Sequence, residues 1–372
     1  MANFIGFYNN PSQNERIGID FPNITEWPQG FIPVPIHTVV KNTDYVGIPD
    51  TYCPRQKWLM KLVQQTPEWK NLVKKYTGVL EELESICKQS LSFNDVPRCV
   101  DTFYCEVLNA NISSDTAAKK EIPVSDYQYD QLRQLSYAIQ NYENGLNLQP
   151  YDGIDFKHEI GKIRGGSIFW SILNHFDLKL YCLKPENYEN SHCTWMNNLK
   201  YYAYSALLES KLQTATYSRH DTTLAALMCT LDAKHKILSD GGYPKYTAAM
   251  FFELWNTTNG PGLKILSPDR WLILKIDFEN KRFITYFTCQ KINDYFEKNC
   301  SENMDSNGFC DYSKFRTHGI AYYPGNINKL CQDIKSKRTS FNPDEHETKA
   351  IPIITVSPAV LTLLLSQLEI TT

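Results

Sequence analysis

The sequence lacks several features that would have narrowed its role. It has no excess of one charge: 38 Lys and Arg stand against 41 Asp and Glu, a net charge of −3. Neither nucleic acid nor an anionic membrane is expected as a partner on that balance. No Cys-x-x-Cys pair occurs, which argues against a zinc ribbon, and no metal set is expected. There is no domain-scale repeat and no low-complexity tract. No apolar run reaches the roughly 20 residues that a membrane-spanning helix needs. The most apolar stretch, AIPIITVSPAVLTLLL at 350–365, is short and contains Pro352 and Pro358. It reads as a loosely packed tail, with a membrane or lipid-anchor signal as the alternative. The opening MANFIGFYNNPSQNER has neither a basic stretch nor an apolar one, so it is not a signal peptide.

What is present is an ordinary globular composition, 42% hydrophobic, in 372 residues. That length allows two domains, or one core with a large insertion. Eleven cysteines are scattered along it. The close pairs Cys87/Cys99, Cys182/Cys193 and Cys300/Cys310 suggest disulfides made in an oxidising compartment. The odd count leaves at least one free, and Cys229, inside an apolar run, is the candidate: a small buried hydrophobe. Sequons at Asn23, Asn111, Asn256 and Asn299 are close to a chance number and support secretion only weakly.

Residues 1–50 are rich in Pro and Asn and read as loops with one strand at PVPIHTVV. From 55 to 150 the texture is helical. Thr66-Pro67-Glu68 has the form of an N-cap, a first-turn proline and a first-turn acid. Trp69, Leu72, Val73, Tyr76, Val79, Leu80 and Leu83 follow at helical spacing. A second helix is expected over Val96 to Leu108, and a third after Ser125-Asp126. Arg164-Gly165-Gly166 opens another apolar helix. Strand-like segments then occur at 200–205 (KYYAYS), 248–255, 270–278 and 282–289. The last two flank Glu279-Asn280-Lys281, a hairpin signal. Strands and helices on either side of a helical block predict an α/β core with a helical cap.

The chemistry concentrates in YSRHDTTLAALMCTLD, residues 217–232. A helix starting near Thr222 places His220 and Asp221 at its N-terminal edge, where backbone N–H groups and the helix dipole favour anions. A histidine there can donate to a phosphate oxygen. A protonated aspartate can give a proton to a leaving alkoxide; its ordinary pKa of about 3.9 suits that task at acidic pH or in a desolvating site. Asp and Thr are equally ordinary N-cap residues, and a histidine can be purely structural.

HDTTLAAL resembles the C-terminal active-site motif of the histidine acid phosphatases, in their prostatic and lysosomal branch. Other pieces are similar in the same order: Trp27-Pro28-Gln29-Gly30-Phe31, Ile32-Pro33-Val34-Pro35-Ile36-His37-Thr38-Val39, Cys53-Pro54-Arg55, Phe103-Tyr104-Cys105-Glu106, Arg164-Gly165-Gly166 with Ile172-Leu173-Asn174-His175, and Cys310 with Lys314 and Phe315. The resemblance covers roughly 20–330 of the chain. Phytases and phosphoglycerate mutases fit less well.

The resemblance implies a mostly parallel, phosphoglycerate-mutase-like sheet flanked by helices. The core is expected from 1–50 and 151–330, an all-helical cap from 51–150, and a tail from 331–372. The implied reaction is phosphomonoester hydrolysis through a phosphohistidine. His220 would hydrogen-bond the phosphate, Asp221 would protonate the leaving group, and arginines would clamp the phosphate with planar forks. No metal or other cofactor is implied. The substrate would be a small-molecule or phosphoprotein phosphomonoester, in the secretory pathway, lysosomal or extracellular, with homodimers possible for the family. The resemblance pairs Cys53 with Cys331; Cys300–Cys310 is the other expected bridge. Cys105 should have a partner near Ala249, where this chain has no cysteine.

The departures are as specific as the matches. The eight histidines stand at 37, 158, 175, 192, 220, 235, 318 and 346, and none lies in Arg-His-Gly, the nucleophile's motif. The nearest decoy, Arg316-Thr317-His318-Gly319, is expected to be a loop near the C-terminal disulfide. A second clamping arginine is missing too. On the family pattern, Met1 is then an internal methionine of a longer protein, and the first core strand is missing. The family also reads Tyr-Ser-Ala-His-Asp, whereas here thirteen residues, 207–219, separate Tyr204-Ser205-Ala206 from His220. They are read as an insertion; the alternative is that KLQTATYS is the true strand. Two functions follow: an acid phosphatase by family, or a catalytically inactive pseudoenzyme that binds phosphate or a partner.

Overall fold

A computed structural model describes residues 18, 23–25, 37–112, 124–197, 199, 202, 204, 220–238, 242–244, 248, 250–268, 274–277, 282–285, 289–291 and 309–334. The chain divides into two compact units, one of 41–181 with 201–341 and one of 1–40 with 182–200 and 342–372. In the second unit, Cys182 and Cys193 are disulfide-bonded, closing a short loop before the helical turn Cys193–Met196. His37 to Val40 have irregular backbone; the rest of the strand expected at PVPIHTVV lies outside the described residues.

The larger unit starts with helices. α1 spans Pro54–Val63 and α2 Pro67–Cys87. The Thr66 hydroxyl caps α2 by accepting from Trp69 N, with Pro67 in the first turn, as the local sequence predicts. α3 runs Val96–Ile112 and α4 Asp126–Glu143; Ser125 and Gln128 close α4 with a capping box. These helices bury Leu72, Leu83, Val96, Val100, Phe103, Leu135 and Ile139 in one core. Each such side chain contributes about 1.5–3 kcal/mol when fully buried.

α5, Phe156–Arg164, and α6, Gly166–Cys182, meet at the Arg-Gly-Gly step. α7 spans His220–Thr230. Its sequence is apolar on nearly every side after the first turn, and Ala225 to Leu231 are buried accordingly. A second core joins α1, α5 and the chain end: Leu59, Leu62, Phe156, Ile160 and Ile163 pack with Leu330 and Cys331. The Cys53–Cys331 disulfide ties it across 278 residues, the pairing implied by the resemblance.

The described strands are antiparallel. β1, Phe251–Thr257, pairs with β2, Gly260–Pro268, through a tight turn at Thr258-Asn259, followed by Gly260 at φ +108°. This Asn-Gly signal marks a hairpin that the strand pattern alone did not reveal. β3, Leu274–Asp277, and β4, Arg282–Thr285, form the second hairpin, as expected. β5, Cys289–Lys291, and β6, Cys310–Asp311, both pair with β2. Among the described residues no parallel pair occurs. Short turns join strands antiparallel, whereas parallel pairing needs a long crossover.

Two sequence expectations are corrected. Of the strand expected at 200–205, the described residues Tyr202 and Tyr204 are not in a strand. Their rings pack on α6 instead: Tyr202 lies 4.1 Å from the His175 ring, and the Tyr204 hydroxyl bonds Ser171 Oγ at 2.8 Å. The Arg316-Thr317-His318-Gly319 decoy is not a loop but part of α8, Tyr312–Ile320, which Asp311 caps. α9, Ile327–Gln332, follows. The insertion read at 207–219, the tail at 350–365 and Cys300 lie outside the described residues. Cys310 is disulfide-bonded. Cys87, Cys99 and Cys229 are free thiols. Among the described residues no helix is long and apolar enough to cross a membrane.

Candidate active site

His220 and Asp221 are the first two residues of α7. One Asp221 carboxylate oxygen accepts from Thr222 N at 2.9 Å, so the acid already occupies the positive end of the helix. Thr223 fixes this end in place by donating from its hydroxyl to Gly47 O at 2.7 Å. Thr222 and Thr223 are both buried. The local sequence explains the start: Asp and Thr favour the first turn, and the apolar LAALM that follows needs a buried helix.

Glycine sets the approach of α5 and α6 to α7. A Cβ on Gly165 would lie 2.4 Å from Ala226 O, and one on Gly166 would lie 2.3 Å from Tyr322 O. Arg164, next to this contact, is buried. Its Nη1 donates to Asp50 Oδ1 at 2.5 Å and its Nε to Asn144 Oδ1 at 3.0 Å. The Asp50 and Glu143 carboxylates outweigh its burial and hold the guanidinium firmly protonated.

The Tyr243 hydroxyl is buried. Burial raises its phenol well above the usual range, and the Glu143 carboxylate raises it further. Arg164 opposes this, while Asp221 and Asp50 add to it. The Tyr243 ring therefore lies within the fields of Asp221 and Arg164 together. Lys234 sits with its ammonium 5.4 Å from that ring, and it donates to Asn141 Oδ1 from a fully buried position. Sequence reasoning found Arg164 through its motif but not Asp50, Asn144, Glu143, Lys234 or Tyr243. They come from four separate segments, and no spacing links them.

Other motif residues are structural. Arg55 Nη2 pairs with Glu159 at 2.5 Å, and both side chains are buried. Glu159 also accepts from Lys162 at 2.7 Å. A guanidinium so engaged is part of the core. His175 donates from Nδ1 to Ser171 O at 2.7 Å. His318 of the decoy bonds Thr230 O through Nε2 at 2.7 Å, and Arg316 pairs with Asp177 at 2.9 Å. Burial holds the imidazoles of His175 and His318 below the ordinary histidine value. Among the described residues no group of His, Cys, Asp and Glu could hold a metal ion.

The arrangement thus places a histidine and an acid at a helix N-terminus. Comparison with known proteins bears on the family. Residues 1–268 match the family described as "Histidine phosphatase superfamily (branch 2)". The chain belongs to this family. It is similar to "Putative acid phosphatase 10" of Caenorhabditis elegans, 26% identical over 275 residues, 69% of this chain and 59% of that protein. It is also similar to the lysosomal acid phosphatase of Rattus norvegicus and the testicular acid phosphatase of Mus musculus. Each is 24% identical over 241 residues, 64% of this chain and 45% of the relative. The chain spans about half the length of the curated relatives it matches.

Proposed function

We propose that this chain carries the acid-and-phosphate half of an acid phosphatase site. The observation that carries the reading is the position of His220-Asp221 as the opening of α7. In this role His220 donates a hydrogen bond to a phosphate oxygen. Asp221, protonated at acidic pH, gives its proton to the leaving alkoxide as the P–O bond breaks. Substrates are phosphomonoesters of small molecules or phosphoproteins, and no cofactor takes part. The fuller architecture belongs to the same proposal: a mostly parallel core from 1–50 and 151–330, capped by 51–150. The disulfides and the lysosomal relatives support a secretory setting for it.

A second reading is favoured by one specific observation: none of the eight histidines stands in Arg-His-Gly. Phosphoryl transfer to histidine does not merely slow when the nucleophile is missing; that route is closed. On this reading the 372 residues bind phosphate, or a phosphorylated partner, without turning it over. Titration of the chain with orthophosphate at acidic pH tests the site. Binding weakened by His220→Ala is expected; equal affinity in both proteins, or none in either, overturns it. An assay with p-nitrophenyl phosphate separates the two readings. Turnover by this chain that is lost in Asp221→Asn would make another histidine the nucleophile and discard the second reading.

A further inference from the structure

The last residue of α2 is Cys87, and Cys99 lies in the first turn of α3. The chain between them is tightly held. Lys88 reverses its direction in the left-handed region at φ 51°. Glu84 reaches forward and accepts from Leu91 N at 2.7 Å and from the Ser90 hydroxyl at 3.2 Å. Ser92 and Asp95 form a capping box, and Arg98 pairs with Asp95 at 2.9 Å. These bonds fix the exit of α2 against the entry of α3. Both cysteines pack on the same helical core, and the Cys87 thiol is close enough to act on that of Cys99. Both are partly accessible rather than sealed.

We propose that Cys87 and Cys99 are a disulfide-forming site, oxidised by a small disulfide of the glutathione type. The Cys87 thiolate attacks one sulfur of the oxidant and expels one glutathione thiolate, leaving a mixed disulfide. The Cys99 thiolate then attacks the Cys87 sulfur and expels the second glutathione. Two protein thiols lose two electrons and two protons, and one glutathione disulfide becomes two glutathiones. Burial comes first among the causes that push the Cys99 thiol up to about 11. Disulfides at Cys53–Cys331, Cys182–Cys193 and Cys310 place such an oxidant within the chemistry this chain already uses. The bond closes a short loop and staples two helices of the helical block. This inference is independent of the phosphatase reading.

The test is disulfide mapping of the full chain after equilibration in glutathione buffers of graded potential. Thiols are blocked with N-ethylmaleimide before trypsin digestion. The expected product joins peptide 76–88, which holds Cys87, to peptide 99–119. Fragmentation must place the bond on Cys99 and not on Cys105, which shares that peptide. The linked product should grow in as the buffer becomes oxidising and vanish in Cys87→Ser, where Cys99 becomes alkylated. The oxidised chain should also melt higher, with the increment lost in Cys99→Ser. Two alkylated thiols in buffers that leave Cys182–Cys193 intact would overturn the proposal, and so would a bond to Cys105.

Discussion

Gly165 lies so close to the Ala226 carbonyl that a Cβ would come within 2.4 Å of it. One backbone atom of α7 therefore rests where any other residue would place its side chain. The contact joins the Arg-Gly-Gly step to the helix that begins with His220-Asp221. It sets how closely the step packs on the middle of that helix.

Gly165→Ala should lower stability. The extra methyl meets backbone, not a flexible side chain, so α7 must shift. Overpacking of this kind costs about 1–3 kcal/mol, more than the roughly 1 kcal/mol that alanine adds in helix propensity. Urea unfolding measures the loss. A variant as stable as the parent would mean that the two helices yield without strain.

Arg55 and Glu159 form a buried pair, so removing one partner should be worse than removing both. Arg55→Met alone leaves the buried Glu159 carboxylate to Lys162 and should destabilise by up to about 3–5 kcal/mol. The double variant Arg55→Met, Glu159→Met should recover a large part of that. A double-mutant cycle in urea reads the coupling. Simple additivity would show that the pair acts independently.

The Cys53–Cys331 disulfide closes a very long loop. Chain-entropy arguments give it up to about 5 kcal/mol. The Cys53→Ser, Cys331→Ser variant should lose a sizeable part of this in denaturant unfolding. An unchanged midpoint would place the stabilisation of α1 and α9 in their apolar packing alone.

His318 and His175 are held below the ordinary histidine value by burial, against the opposing hydrogen bonds to Thr230 O and Ser171 O. A histidine depressed in the folded state favours folding above its unfolded pKa. As pH falls below about 6.5, the unfolded chain takes up a proton that the folded chain refuses, and stability declines. Unfolding free energy should therefore drop between about pH 7 and pH 5. His318→Gln should flatten that slope. An identical slope in the variant would assign the loss to other groups.

Local signals were legible in the sequence because their energies are local. The Thr66 cap, the Ser125 capping box, the heptad-like spacing of α2 and the start of α7 each depend on a few neighbouring residues. The hairpin across 279–281 was readable for the same reason, and Asn259-Gly260 would have revealed the other. The His-Asp pair and its helix position also came from the sequence, as did the family resemblance.

Tertiary structure alone decided which partners each charged residue takes. Arg55 and Arg164 stand in equally suggestive motifs, yet Arg55 is locked to Glu159, while Arg164 is held by Asp50 and Asn144. Arg316-Thr317-His318-Gly319 looked like a loop, but contacts with Asp177 and Thr230 hold it in a helix. Tyr202 and Tyr204 have strong β-formers around them, but their rings gain more by packing on α6. In each case the partner lies tens or hundreds of residues away. Periodicity and capping report only the next turn of chain, and the burial that fixes a charge's role is a property of the folded whole.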